Sequence, residues 1–278
     1  MRLGGLLFGT WNTPEEWALA ARRAGYAAVY FPVDCKASTA EIDGYVTAAK
    51  NADLVISEIG VWKNTLDPDK RKSEAAIDYA IRQLELADYI GAGCCVNIAG
   101  SYNPDCWDGP HPQNLTARAF DDIVSVTQRI IDAVCPKHAA YSLEPMPWMY
   151  PDSADNYLAL LRAVDRKGFA AHLDIVNVIN SPQKYYQNAE LIREWFDKLG
   201  SHIRSCHVKD IVLREALTVH LDECRPGAGN LDYAAYLTCA AKLGDDACLM
   251  LEHMTAPDDY TKATEFLKGL AASLQLQL

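Results

Sequence analysis

Four side chains able to bind a metal recur at matching points in the second half of this chain. Glu144 closes the apolar run before Pro145, and Asp174 ends Ala171-His172-Leu173-Asp174. His207 lies in Ser205-Cys206-His207-Val208-Lys209-Asp210, and Glu252 ends Leu249-Met250-Leu251-Glu252. Three carboxylates and an imidazole make a mixed oxygen and nitrogen set that suits a divalent ion such as Mn²⁺. Any one of these polar strand ends is explained by contact with solvent; four on successive runs are harder to explain that way. Strand alternation places Ser142, His172, Ser205 and Met250 on the same side, one layer below. His172 therefore reads as a satisfied core histidine or a support for the ligands, since Asp174 already holds the outer position on that run.

The elements that must carry these residues form a repeated pattern. Apolar runs at Leu6–Phe8, Ala27–Phe31, Leu54–Ile59, Cys94–Ala99, Ala139–Glu144, Ala170–Ile175, Ile203–Val208 and Ala247–Leu251 read as strands. Helical periodicity follows each one. Pro14 starts the first helix, Thr39 is expected to cap the second, a third runs from about Ala75 to Ile90 and stops at Gly91, and Asp232 caps the helix before the last strand. Two long connections stand out: 100–115, with Tyr102, Trp107 and His111, which reads as a lid or pocket wall, and 211–231, an extended loop ending in Arg225-Pro226-Gly227-Ala228-Gly229. Eight strands alternating with eight helices, without a linker or a shift in composition, predict an α/β protein: a single (β/α)8 TIM barrel domain over residues 1–278. An open doubly wound sheet would call for a Gly-x-Gly-x-x-Gly turn after an early strand, which is missing after Leu3–Gly9.

Composition narrows the partners. Half of the 278 residues are hydrophobic, 23% are charged and the formal net charge is −11, so a nucleic-acid backbone would be repelled in the absence of a basic run. No apolar stretch approaches the roughly 20 residues needed to cross a bilayer. The N-terminus reads as a strand rather than a signal peptide, and nine cysteines without a Cys-x-x-Cys pair fit a reduced, cytoplasmic setting. Oligomeric state is left open, a homo-oligomer included.

Over most of its length, and most strongly from Tyr141 to Glu252, the chain resembles the xylose-isomerase-like barrel superfamily, in particular its sugar (phosphate) isomerase and epimerase group, which includes tagatose 3-epimerase and the inositol-catabolic isomerases. The matching pieces are the Glu144 strand end, Leu173-Asp174, His207-Val208-Lys209-Asp210, the Pro226-Gly227-Ala228-Gly229 turn and Leu251-Glu252. The resemblance implies one divalent cation, commonly Mn²⁺ with Mg²⁺, Co²⁺ or Zn²⁺ as alternatives, on Glu144, Asp174, His207 and Glu252. It also implies Glu144 and Glu252 as an acid/base pair acting on a small sugar or polyol. Many epimerases of the group carry histidine three residues after the aspartate; here Asn177 stands there and can bond a hydroxyl but cannot carry a proton. Ala228 likewise stands where relatives often have Glu in the Pro-Gly-x-Gly turn. The DNA-repair branch of the superfamily relies on histidines from early strands, whereas strands two to four end here in Pro32, Glu58 and Asn97.

The expected chemistry is proton transfer through an enediolate, between two faces of one carbon for epimerisation or to the neighbouring carbon for isomerisation. Lys209 shares the face of His207 and is placed to stabilise an oxyanion, unless it simply pairs with Asp210. Arg225 reads as a group that reaches a substrate or as a surface residue. Trp148, with Trp11, Trp62 and Trp107, follows a strand and reads as apolar wall or as core. With no phosphate-binding loop visible, an unphosphorylated substrate is favoured. The alternatives are a metal-dependent dehydratase or lyase acting on a keto-sugar, inosose or glycoside, and a catalytically silent barrel that binds carbohydrate.

Overall fold

The computed structural model describes all 278 residues. Strands and helices alternate as β1 (Arg2–Gly5), α1 (Pro14–Arg23), β2 (Ala28–Tyr30), α2 (Thr39–Asn51), β3 (Val55–Gly60), α3 (Lys70–Ile90), β4 (Cys94–Asn97) and α4 (Ala117–Val134). The second half continues with β5 (Ala140–Leu143), α5 (Ala154–Val164), β6 (Phe169–Leu173), α6 (Pro182–Tyr186), α7 (Asn188–Leu199) and β7 (Ile203–Val208). A hairpin of β8 (Asp210–Arg214) and β9 (His220–Cys224), then α8 (Tyr233–Ala240), β10 (Cys248–Leu251) and α9 (Pro257–Ser273), complete the chain. Eight parallel strands run in the order β1-β10-β7-β6-β5-β4-β3-β2, and Ala27 N donates to Leu3 O at 2.8 Å to bridge the remaining gap. This is a (β/α)8 barrel. Because β5, β6, β7 and β10 are successive neighbours, the residues that end them form one arc of the mouth.

Two layers follow from the alternation of side chains. Outward residues such as Tyr141, Leu143, Cys206, Val208, Leu249 and Leu251 join the helices in a core of 66 buried residues. Inward residues are mostly small or polar, Met250 excepted: Ser142, Ser205 and Ser57 are buried, and the Ser57 and Ser205 hydroxyls meet at 3.1 Å across the barrel. No helix is long and apolar enough to cross a membrane.

Several boundaries differ from the sequence expectation. The first strand is Arg2–Gly5, and the run Leu6–Phe8 projects from the mouth with Leu6 and Phe8 exposed. Apolar content pointed to the wrong stretch because the real strand needs glycine where neighbours crowd it. A Cβ on Gly4 would lie 2.5 Å from Ala28 O and 2.7 Å from Met250 Sδ. The stretch 211–231 holds β9 and most of β8, paired antiparallel from Asp210↔Cys224 to Arg214↔His220, instead of being an extended loop throughout. Ser38, not Thr39, caps α2, accepting from Glu41 N, and α3 begins at Lys70 behind the Asp69 cap. Asp232 caps α8 as expected, through Ala235 N at 2.8 Å.

Candidate metal centre and active-site cavity

Glu144, Asp174, His207 and Glu252 converge at the C-terminal mouth, each offering one donor atom within 4.8 Å of the others. Donors held about 2.0–2.4 Å from a common ion can lie no farther apart than that. His207 Nδ1 is at the centre, 2.9 Å from Glu252 Oε2, 3.2 Å from Glu144 Oε1 and 3.8 Å from Asp174 Oδ2. Burial works to lower the pKa of His207, but the surrounding carboxylates drive it well above the usual histidine value. For Glu144, burial acts upward and the His207 charge outweighs it, so that the carboxyl is lowered to about 2. Asp174 goes the other way: burial pushes it up to about 8 in spite of Lys209. The cluster thus sets three carboxylates against Lys209 and His207, and a bound cation would favour the ionised form of all three, Asp174 included. Its charge, its mutual distances and its mixed carboxylate and imidazole donors all fit a divalent cation.

The sequence-predicted residues around the cluster fall into two groups. Asn177 and Trp148 line the main cavity with Glu144, His207 and Glu252. Asn177 Nδ2 donates to Glu144 Oε1 at 3.0 Å, and its backbone N–H bonds Asp174 Oδ1 at 3.1 Å, so this residue orients two carboxylates as well as facing the cavity. Lys209 and Arg225 line a smaller adjoining cleft. Lys209 Nζ is buried 2.7 Å from Glu252 Oε1 and 2.9 Å from both Asp174 Oδ2 and Glu223 Oε1, and Asp210 is not among its partners. It neutralises the cluster from behind. Arg225 donates to Pro226 O at 2.9 Å and sits 3.8 Å from Asp259.

Asp210 has another task. Its carboxylate accepts from Ile211, Gly227, Gly229 and Leu231 N–H at 2.8–3.0 Å, fastening the hairpin and the Pro226–Gly229 turn to the end of β7. Gly229 is required there because a Cβ would lie 2.3 Å from Asp210 Oδ1 and 2.4 Å from Ile211 O.

One residue of this centre had been given no role from the sequence. Glu58, inward on β3 and 1% exposed, receives the Ser205 hydroxyl and lies 3.0 Å from His207 Nε2. Its position at a strand end was readable; its partner, on the far side of the barrel, was not. His172 differs from expectation in part. It is buried core beside the cluster, as one of the two expected roles had it, with its ring 4.1 Å from that of His207 and its Nδ1 3.6 Å from Glu58 Oε2, but neither ring nitrogen makes a hydrogen bond within the chain. Burial pushes it down to about 4, so it packs as a neutral ring.

The cavity over the cluster has a volume of about 1150 Å³. Trp62, Trp107 and Trp148 line it, whereas Trp11 does not. The 100–115 connection is the expected pocket wall through Trp107 and Asp108, while its Tyr102 bonds Asp122 at 2.6 Å, away from the cavity. Asn114 braces that connection through Ser101, Tyr102 and Gly109.

Fold and site together define a class: (β/α)8 barrels with a buried carboxylate and imidazole cluster, able to bind a metal, at the C-terminal mouth. The chain belongs to the xylose isomerase-like TIM barrel family, whose profile matches residues 18–270. Solved structures share this architecture at low sequence identity. A xylose isomerase-like TIM barrel protein from Mycobacterium smegmatis, in complex with magnesium, aligns with TM-score 0.68 at 17% identity over 94% of this chain and 90% of that one. A 3-keto-D-glucoside 4-epimerase from E. coli gives 0.69 at 14% identity (97% and 99%). D-psicose 3-epimerase from Clostridium cellulolyticum H10, solved with D-tagatose, gives 0.68 at 13% (97% and 99%). A search of curated proteins found no match.

Proposed function

We propose that this protein is a divalent-metal-dependent isomerase or epimerase of a sugar or polyol-derived ketone. The observation that carries the reading is the pair Glu144 and Glu252, two cavity-lining carboxylates that approach His207 Nδ1 at 3.2 and 2.9 Å from opposite ends of the arc. Glu144, Asp174, His207 and Glu252 would hold the ion, with Mn²⁺ the favoured occupant. When bound, it supplies positive charge that holds adjacent sugar oxygens and makes the carbon between them more acidic.

Everything else falls to the chain. One glutamate takes the proton from that carbon, and the other returns one to the opposite face or to the neighbouring carbon. Asn177, donating to Glu144 Oε1, keeps that carboxylate oriented without competing for the proton. Lys209 contacts Asp174 and Glu252 from behind, helping to keep Glu252 ionised and opposing the burial that raises Asp174.

The test is incorporation of deuterium from ²H₂O into a panel of ketoses and inososes with added Mn²⁺. Glu144→Gln and Glu252→Gln should retain metal while turnover falls about 100-fold or more. Turnover without solvent exchange, together with near-parental rates in Glu252→Gln, would exclude the proton-transfer scheme.

A further inference from the structure

The cavity over the cluster is larger and less polar than a free sugar needs. Its volume of about 1150 Å³ lies beyond the roughly 300–1000 Å³ of sites that enclose drug-sized ligands, so one ring seated at the floor would leave most of it to water. Of its 32 lining residues, 18 are hydrophobic. Glu144, Asn177 and Glu252 offer hydrogen-bonding groups beside the cluster, and Trp62, Trp107 and Trp148 line the same cavity.

These tryptophans are fixed without being core. Each is 38–39% exposed. Trp148 Nε1 donates to Asp108 O at 2.7 Å, which sets its ring and ties the β5 loop to the segment that carries Trp107. The Trp62 ring lies 6.3 Å from that of His207, tilted by 31°. Half-exposed aromatic faces held in place beside a polar floor suit a ligand with one hydroxylated end and one flat apolar end.

Charge removes the other large sugar derivatives. No lysine or arginine lines the cavity, and its acidic members outside the four-residue cluster, Asp34, Glu58, Asp108 and Glu223, add negative charge. A sugar phosphate, a nucleotide sugar or a uronate would leave its own charge facing carboxylates with no lysine or arginine to receive it, and the two lining histidines, His207 and His253, are already paired with Glu144, Glu252 and Glu223.

We infer that the substrate is a neutral glycoside, its sugar ring on the Glu144 and Glu252 floor and an aromatic or comparably apolar aglycone between the tryptophans. The inference rests on the proton-transfer reading in one respect. A glycosidic bond blocks the anomeric carbonyl, so the ketone that chemistry requires must lie elsewhere on the ring.

The test is calorimetric titration of the Mn²⁺-loaded protein with matched phenyl and methyl β-glycosides of glucose, galactose and xylose, and with glucose 6-phosphate. At least one phenyl glycoside should bind about tenfold or more tighter than its methyl partner, the difference expected from burying an aromatic ring, and the phosphate should bind weakest. Trp107→Ala and Trp148→Ala should each shrink the ratio of phenyl to methyl affinity. The ligand series on the unaltered protein stands on its own if a variant fails to fold. Equal phenyl and methyl affinities in all three pairs, or preferential binding of glucose 6-phosphate, would overturn the inference. A phenyl preference without proton exchange on any ketone would refute the proposed reaction and leave the glycoside standing; exchange on free ketoses without a phenyl preference would do the reverse.

Discussion

Glu58 Oε1 lies 3.0 Å from His207 Nε2, a contact between residues 149 positions apart that spans the barrel from β3 to β7. With Nε2–H committed to Glu58, the ring turns Nδ1 towards Glu144 and Glu252. Metal-binding histidines commonly have their second nitrogen held in this way. Glu58→Gln should therefore weaken Mn²⁺ affinity by about 10–100-fold in calorimetry. His207→Ala should abolish tight binding. Unchanged affinity in either variant would show that the ring is not a ligand oriented by this carboxylate.

Asn177 gives a prediction about pH. Asn177→Asp would set a second carboxylate beside Glu144 in place of a donor 3.0 Å away, and like charge raises a carboxyl pKa. The acidic limb of the pH–rate profile should move to higher pH. An unmoved limb would separate Asn177 from control of Glu144.

Asp88 offers a test remote from the site. Its carboxylate accepts from the backbone N–H groups of Lys137, His138 and Ala139 at 2.7, 2.5 and 3.0 Å, and so anchors the turn into β5. Burial acts to raise its pKa, but these amides outweigh it and hold the carboxyl below its ordinary value. The folded pKa is thus lower than the unfolded value of about 3.9, so the contribution is complete above that value and disappears as pH falls through the folded pKa. Asp88→Ala should cost about 1–2 kcal/mol near neutrality, and the gap from the parent should narrow in acid. Denaturant titrations at pH 7 and pH 3 read this directly.

Asp210→Ala would strip four backbone N–H groups of their acceptor. A loss of about 3 kcal/mol or more is expected, visible as a lower thermal midpoint. Gly229→Ala should act in the same direction, since its Cβ would press on Asp210 Oδ1. A parental midpoint in both variants would mean that the turn does not depend on this carboxylate.

What the sequence disclosed about the fold came from period. Alternating apolar runs and 3.6-residue stripes are local properties, and they located seven of the barrel strands to within a few residues. β1 escaped because it ends in two glycines, Gly4 crowded by Ala28 and Met250 and Gly5 by Tyr26 and Leu251, which are invisible to a search for apolar side chains. The β8–β9 hairpin escaped because its strands are half-exposed and are held by Asp210 and by each other. At the site, Glu144, Asp174, His207 and Glu252 were legible because each closes a strand. The part played by Glu58 depends on a residue across the barrel, and no local pattern reports such a contact.

The way the β8–β9 hairpin is attached has a consequence for descent. It pairs with no barrel strand, hangs from Asp210, and gives Val219, Leu221 and Glu223 to the cavity wall. Apart from Asp210, which fastens the hairpin, and Glu223, which holds Lys209, substitutions along it reshape the entrance while leaving the load of folding with the eight strands, so selection on selectivity and selection on stability act largely on separate residues. Among descendants of this chain, the hairpin is where ligand preference can drift while the barrel beneath it stays the same.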